Sequence, residues 1–277
     1  MTYDPTTYRA SAPHYRAGRP PYSAQLESTL RHALGLDGSG RLLDVGCGPG
    51  ILSLRLAHLF DHVVGLDPDA DMLAEAAQQA ERDGIDNAEW VRATAEDLPA
   101  AAPGPFRLVT FGQSFHRTDE HVVAETVFDL LEPGGAMVMV VHDIERRPPP
   151  PSPGPPGIPH DAILAVVNAY LGSTRRSGRG IAPTRNHRFE DVLVETRFGA
   201  PTTLIAPGRE DVVRDVDEVI SGYLSMSYAA PHLFAGRLDD FVSDVRSLLV
   251  DHSPTGAYWD WPGDTALIVA TRPARTA

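Results

Sequence analysis

The sequence predicts an α/β protein, doubly wound around a mostly parallel seven-stranded sheet and carrying a helical cap. Three observations predict it. Short, almost unbroken apolar runs alternate with helical periodicity from residue 42 to residue 142, as expected of strands buried on both faces beneath crossover helices. The first run, Leu42-Leu43-Asp44-Val45, stops abruptly at Gly46-Cys47-Gly48-Pro49-Gly50, a glycine turn between strand and helix. Two later apolar runs, Thr202 to Ala206 and Thr265 to Thr271, bring the strand count to seven.

Residues 1–20 are polar, aromatic and Arg-containing, and Pro20-Pro21 punctuates them. Ser23 to Leu36 has helical spacing, with Ser23 placed to cap it. The glycine turn leads into a helix marked by Leu52, Leu56 and Leu59. His62 to Asp67 reads as the second strand, and Asp69 as the cap of a helix running to about Arg82. The third strand is expected over 88–92 and the fourth over 107–111. A helix follows from Glu120 to Leu131, terminated by Pro133-Gly134-Gly135, and then the fifth strand over 136–142. Eight of the twelve residues from Pro148 to Pro159 are proline, so this stretch reads as a linker or stiff surface excursion. Helical patches are expected over 160–172, 212–225 and 235–250. The division is therefore an N-terminal lid segment plus core over 1–145, a Pro-rich linker over 146–160, and a cap over 161–277 whose strands return to the sheet.

Composition excludes several chemistries. The chain has 277 residues, 42% hydrophobic and 22% charged, within the globular range. Every one of its 24 basic residues is Arg, which removes Schiff-base and P-loop lysine chemistry. One cysteine rules out a disulfide framework and a Cys-rich metal site, and the histidines show no metal-ligand spacing. The net charge of −13 opposes a phosphate backbone. There is no membrane-length apolar run and no basic-then-apolar start. The expectation is a cytoplasmic protein with a small-molecule acceptor, no nucleic acid and no membrane. Oligomeric state is not encoded visibly, and a homodimer stays an open expectation.

The glycine turn sits where open parallel sheets bind ligands, beyond the carboxyl end of a strand. It would bring a ligand against bare backbone. Asp67 ends the next strand, where a carboxylate can accept both hydroxyls of a ribose. Dinucleotides and S-adenosylmethionine both fit that much. The turn is Gly-x-Gly-x-Gly with Pro49 in the gap, not the dinucleotide Gly-x-Gly-x-x-Gly, and Asp44 precedes it. An acid there suits an ammonium better than a pyrophosphate.

Five stretches in order resemble the class I S-adenosylmethionine-dependent methyltransferases, in the small-molecule branch with the ubiquinone/menaquinone-biosynthesis and trans-aconitate-type enzymes. They are Leu42 to Gly50, Val64-Gly65-Leu66-Asp67-Pro68, Ala95-Glu96-Asp97-Leu98-Pro99, Gln113-Ser114-Phe115-His116 and Leu131-Glu132-Pro133-Gly134-Gly135. The resemblance covers residues 15–142 well and the remainder loosely. It implies a Rossmann-like methyltransferase fold, S-adenosyl-L-methionine as cofactor and S-adenosyl-L-homocysteine as its product. It implies that Gly46, Cys47 and Gly48 pass along the methionine part, with Asp44 and Gly50 completing the motif. Asp67 would hold the ribose, Pro68 and Met72 would pack on adenine, and Ala95 and Glu96 would meet its edge. Gln113 would stand beside the sulfonium, and Tyr15 and Arg19 would close over the carboxylate. The chain departs from the pattern at Thr94, where many relatives carry Asp.

His116, just past the fourth strand, is the candidate base, since an imidazole suits proton abstraction near neutrality; a pocket-lining role is its alternative. Cys47 reads as a small turn filler. The acceptor pocket is expected from Tyr170, Tyr223, Tyr228, His232 and Trp259, together with the N-terminal segment. Such a cap implies a small organic acceptor, as in specialised metabolism, methylated on oxygen, nitrogen or carbon. Three alternatives stand beside this reading: a dinucleotide oxidoreductase, a non-methylating protein of the same fold such as a cyclase, and a macromolecule methyltransferase.

Overall fold

The computed structural model describes residues 4–143, 148–178, 180–181 and 187–274. The seven expected strands form one sheet. They are β1 (Arg41–Val45), β2 (His62–Leu66), β3 (Ala88–Val91), β4 (Phe106–Gly112), β5 (Leu131–Asp143), β6 (Thr202–Ala206) and β7 (Asp264–Thr271). Their spatial order is β3-β2-β1-β4-β5-β7-β6. The first five are parallel. β7 runs antiparallel to both β5 and β6. The strand order reverses at β1, which puts the switch point between β1 and β4 and its crevice over their carboxyl ends.

Helices cover both faces because strands apolar on both sides must be buried on both sides. They are α1 (Ala12–Gly18), α2 (Leu26–Leu34), α3 (Ile51–Leu56), α4 (Ala70–Asp83), α5 (Glu120–Leu130), α6 (His160–Leu171), α7 (Phe189–Val194), α8 (Val216–Leu224) and α9 (Leu238–His252). One core joins Leu43, Val64, Val109 and Met137 to Val123 and Val127 of α5 and Leu193 of α7. The opposite face joins Leu42, Val63, Leu108 and Val138 to Leu26 and Leu30 of α2 and Leu52 and Leu56 of α3. A third cluster holds α6, α8 and α9 together through Ile163, Ile220, Phe241 and Tyr258.

The structure departs from the sequence expectation in several places, beginning with α1 and α7, which were not expected as helices. Ser23 does not cap α2. Its hydroxyl donates to the Pro207 carbonyl at 2.5 Å and its amide donates to Thr265 Oγ1 at 2.8 Å, so tertiary partners hold it and the helix starts at Leu26. Pro133-Gly134-Gly135 does not terminate α5 either. The helix ends at Leu130, Leu131 is extended, and the Pro-Gly-Gly stretch lies within β5, where the Gly134 amide bonds to the Arg272 carbonyl. The patch at 212–225 begins as a short strand, Val213–Asp215, paired antiparallel with Ala257–Trp259. The helix then starts at Val216, where Asp215 accepts from the Glu218 amide. The Pro-rich stretch, expected as a linker or stiff surface excursion, is tied to the chain at Trp259, whose amide donates to the Pro156 carbonyl at 2.8 Å. The boundary expected at 145–146 lies outside the described residues.

The N-terminal segment is strapped across the top of the sheet by its contacts with α8. Ser11 donates to the Leu224 carbonyl at 2.9 Å. Arg214, buried and paired with Asp260 at 2.6 Å, also donates to the Ala17 and Gly18 carbonyls. Such a buried guanidinium needs all of these acceptors to offset its desolvation. At the crossing, a Cβ on Gly18 would lie 2.3 Å from the Ser221 backbone. Gly18→Ala therefore forces α1 off α8. The expected loss is about 1–3 kcal/mol, read as a Tm fall of several degrees by thermal circular dichroism; an unchanged Tm would show that the two helices are not held at this distance.

Candidate active-site cleft

β1 stops at the switch point because the backbone there takes three left-handed turns in five residues. Gly46, Gly48 and Gly50 have φ of 67°, 54° and 74°, values that side-chain-bearing residues rarely adopt. The turn crosses toward β2 and is tied to it. Gly46 and Cys47 amides both donate to the Leu66 carbonyl, at 2.7 and 3.1 Å. The Gly48 amide donates to Asp67 Oδ2 at 2.8 Å. Asp67 Oδ1 takes the Asp69 amide at 2.9 Å, and Asp69 in turn caps α4 through the Asp71 and Met72 amides. One chain of hydrogen bonds thus joins the turn, the end of β2 and the start of α4.

These elements wall a cleft of about 800 Å³, its open mouth included, which is a common size for a small-molecule site. Of the residues expected to hold a cofactor, Tyr15, Gly46, Gly48, Asp67, Pro68, Met72, Ala95, Glu96 and Gln113 line it. Nothing lies within 4 Å of where a Cβ on Gly48 would stand, so bare backbone faces open space. Asp67 is buried, and burial pushes its carboxyl up to about 6. Gln113 has φ of 56°, a strained conformation for a residue with a side chain. It is held there by its amide on the Val140 carbonyl at 3.1 Å. Glu96 also accepts the Asp119 amide at 3.1 Å. Thr94, the departure from the family pattern, lines the cleft and bonds through both amide and hydroxyl to Asp97 Oδ2, each at 2.8 Å.

Arg19, Asp44, Cys47, Gly50 and His116 do not line the cleft. Asp44 lies beneath the turn, almost wholly buried. It accepts the Ser53 hydroxyl and amide on one oxygen and the Thr110 hydroxyl on the other. Burial raises its carboxyl, and its role here is to brace α3 against β1 and β4. Cys47 is buried, with its thiol pushed well above the usual range, and that makes it inert. Gly50 packs its Cα side against Trp90, Ala76 and Leu54. His116 sits half-buried in a short helical turn, Phe115–Arg117. Its neighbours Ser114, Arg117 and Thr118 line the cleft.

The residues expected around the acceptor do not converge on one place. Tyr223 is buried and bonds His160 Nδ1 through its hydroxyl at 2.9 Å. Trp259 is buried with its indole on the Glu210 carbonyl at 2.7 Å, and His232 bonds the Arg9 carbonyl. Tyr223 and Trp259 serve packing inside the cap, and His232 ties it to the N-terminal segment. Tyr170 and Tyr228 line a separate hollow.

Sequence reasoning passed over Tyr8, Asp69, Gly112, Ser114, Arg117 and Thr118 as cleft walls. Ser114 had a signal, since it stands in a stretch that resembles the family. Its hydroxyl donates to the Val45 carbonyl at 2.5 Å, and its Cβ occupies the place a Cβ on Gly46 would need. Tyr8 had none, because its place depends on tertiary contacts: the Arg117 guanidinium 4.8 Å above its ring and Tyr15 edge-on at 6.0 Å. Arg16 fixes the same segment to the turn through the Pro49 carbonyl at 2.7 Å.

A family model described as a methyltransferase domain matches residues 42–135. The match spans β1 to the first residues of β5, and so takes in most of the cleft. Ubiquinone biosynthesis O-methyltransferase of Psychrobacter cryohalolentis is 36% identical over 117 residues, 42% of this chain and 44% of that protein. The protein of the same name from Caulobacter vibrioides is 39% identical over 97 residues, 35% of this chain and 38% of that one. The chain thus spans less than half the length of the curated relatives it matches. A methyltransferase from Geobacter sulfurreducens, solved with S-adenosyl-L-homocysteine, superposes with TM-score 0.52 at 16% identity, covering 99% of this chain and 100% of that one. A Bacillus halodurans structure described as a putative methyltransferase gives TM-score 0.51 at 17% identity, over 91% and 100%. At such identities the likeness shows the Rossmann-like methyltransferase fold alone, with the matched stretch 42–135 at its core.

In the turn, Gly46→Ala adds a Cβ 2.5 Å from that of Ser114 at a left-handed φ. The change should cost about 2–4 kcal/mol through strain and overpacking together. Urea unfolding would read this as a lower midpoint at unchanged m, and a midpoint within error of wild type would contradict the packing described.

Proposed function

We propose that the protein is an S-adenosylmethionine-dependent methyltransferase acting on a small organic acceptor. The observation that carries this reading is the pairing of bare glycine backbone with one buried carboxylate across the switch point. Gly46 and Gly48 let a ligand approach the chain closely, and Asp67 offers lone pairs to paired ribose hydroxyls. Met72 and Pro68 supply an apolar wall for a base, beside Ala95 and Glu96. When bound, S-adenosylmethionine supplies a methyl group already activated on a sulfonium.

The chain's own contribution is then alignment and exclusion of water. Gln113, just past the end of β4, is fixed by its amide on the Val140 carbonyl and lines the cleft at the switch point. Tyr8 and Tyr15 cover the cleft, and the contact of Arg16 with the turn keeps them there. We assign the N-terminal segment to closure, residues 42–135 to cofactor binding and the α6–α9 region to the acceptor. The names of the curated relatives favour oxygen as the methylated atom. A small acceptor, such as an intermediate of specialised metabolism, is favoured by the covering helices and the acidic surface. Among the described residues no group of three metal-binding side chains forms a metal site, and no helix is long and apolar enough to cross a membrane.

Titration calorimetry with S-adenosyl-L-homocysteine tests the reading, with NAD as the competing ligand. Micromolar binding of the first and none of the second is expected; the reverse would overturn it. Asp67→Ala should weaken S-adenosyl-L-homocysteine by about tenfold or more, since charge-assisted hydrogen bonds contribute about 1.5–3 kcal/mol.

The pH dependence has a definite sign. Burial penalises the ionised form of Asp67, so its carboxyl protonates near pH 6. Below that value one oxygen becomes a donor and no longer accepts a ribose hydroxyl. Affinity should therefore be level above about pH 7 and fall as pH drops through 6. The Asp67→Ala variant should lose this dependence, and a dependence retained in the variant would assign the titration to another group.

A further inference from the structure

Beside α6 lies a second hollow of about 630 Å³, mouth included. Leu164 and Leu233 give it apolar wall, Tyr170 and Tyr228 aromatic wall, and Arg175 and Arg176 a cationic one. That concentration of positive charge stands out on a chain of net charge −13. Several other arginines are paired with carboxylates: Arg107 with Asp37, Arg197 with Glu125 and Asp129, Arg209 with Asp211, Arg246 with Asp217. Among the described residues neither Arg175 nor Arg176 has a carboxylate partner. Arg175 instead lies over the Tyr228 ring, 5.0 Å from its centre.

A third cation stands between this hollow and the cleft. The Arg19 guanidinium covers the Tyr15 ring at 4.5 Å, on the cleft side. Its terminal nitrogens reach the Ser225 carbonyl at 2.7 Å and Met226 Sδ at 3.4 Å, just before Tyr228 in the chain. Among the described residues its buried Nε finds no hydrogen-bond partner, and a buried donor left unmatched is costly. Planar guanidinium groups above aromatic and aliphatic walls suit a ligand with an oxyanion head and an apolar body.

We propose that this hollow seats the methyl acceptor, and that the acceptor is an organic oxyanion carried on a partly apolar body. The assignment as acceptor seat rests on the methyl-transfer reading; the preference for an anion rests on the arginines alone. Arg175 and Arg176 hold the head group, and the charge of Arg19 adds to the field from the side nearer the cleft. The tyrosines and leucines take the body of the molecule.

The test uses 4-phenylbenzoate and its neutral amide, 4-phenylbenzamide, with the full chain loaded with S-adenosyl-L-homocysteine, followed by ligand-observed NMR. The acid should bind about tenfold more tightly than the amide, as charge-assisted contacts demand. Interligand Overhauser effects should connect the acid's ring protons to S-adenosyl-L-homocysteine. In the double variant Arg175→Gln, Arg176→Gln the preference should shrink to within about twofold, while affinity for S-adenosyl-L-homocysteine matches wild type and shows the fold intact. Equal binding of acid and amide, or a preference that survives in the double variant, would overturn the anion site. Absence of the interligand effect would overturn its assignment to the acceptor. If S-adenosyl-L-homocysteine itself does not bind, the methyl-transfer reading fails instead, and the acid–amide comparison on the free protein still judges the hollow.

Discussion

The site depends on how the turn after β1 is fastened to the end of β2. Two amides, from Gly46 and Cys47, share the Leu66 carbonyl, and a third, from Gly48, holds the Asp67 carboxylate. A left-handed turn without such anchors would be free to sample many conformations, since glycine loses more backbone entropy than any other residue on ordering. Here the same bonds that order the turn also aim Asp67 and start α4 through Asp69. Moving any one of these groups displaces the others, so the floor of the cleft is a single mechanical unit.

That unit keeps two carboxylates out of water, Asp44 in β1 and Asp67 just past β2, and they are handled differently. Asp44 is saturated by Ser53 and Thr110 and acts as a brace. Asp67 receives only backbone amides, one on each oxygen, and retains lone pairs toward open space. A buried carboxylate with spare acceptor capacity is a cost to folding that a ligand with paired hydroxyls can offset. Gln113, strained at the end of β4 on the facing side, is a second place where local stability is given up at the cleft.

The core of this arrangement was legible in the amino-acid sequence because its determinants are local. Three glycines within five residues, an acid ending the next strand and an aspartate cap two residues later are short-range features with one mechanical meaning each. The apolar runs likewise predicted all seven strands. Other features were hidden because distant partners decide them. Ser23 looked like a helix cap until Pro207 and Thr265 took its hydrogen bonds. Pro133-Gly134-Gly135 looked like a helix stop, but β5 begins earlier and carries those residues along. Tyr8 lines the cleft because Arg117 stands over it, a pairing that no spacing rule reveals. The expected acceptor residues were chosen as aromatic and polar side chains in the right region. That criterion could not separate Tyr223 and Trp259, which pack inside the cap, from Tyr170 and Tyr228, which face a hollow.

The central claim is that the glycine turn and Asp67 together clasp an adenosyl ligand. A crystal structure of the protein with S-adenosyl-L-homocysteine tests it most directly. The account predicts both ribose hydroxyls within hydrogen-bonding distance of the Asp67 carboxylate and the amino-acid end of the ligand along Gly46 to Gly48. Ligand density elsewhere in the molecule, or a ribose turned away from Asp67, would contradict it.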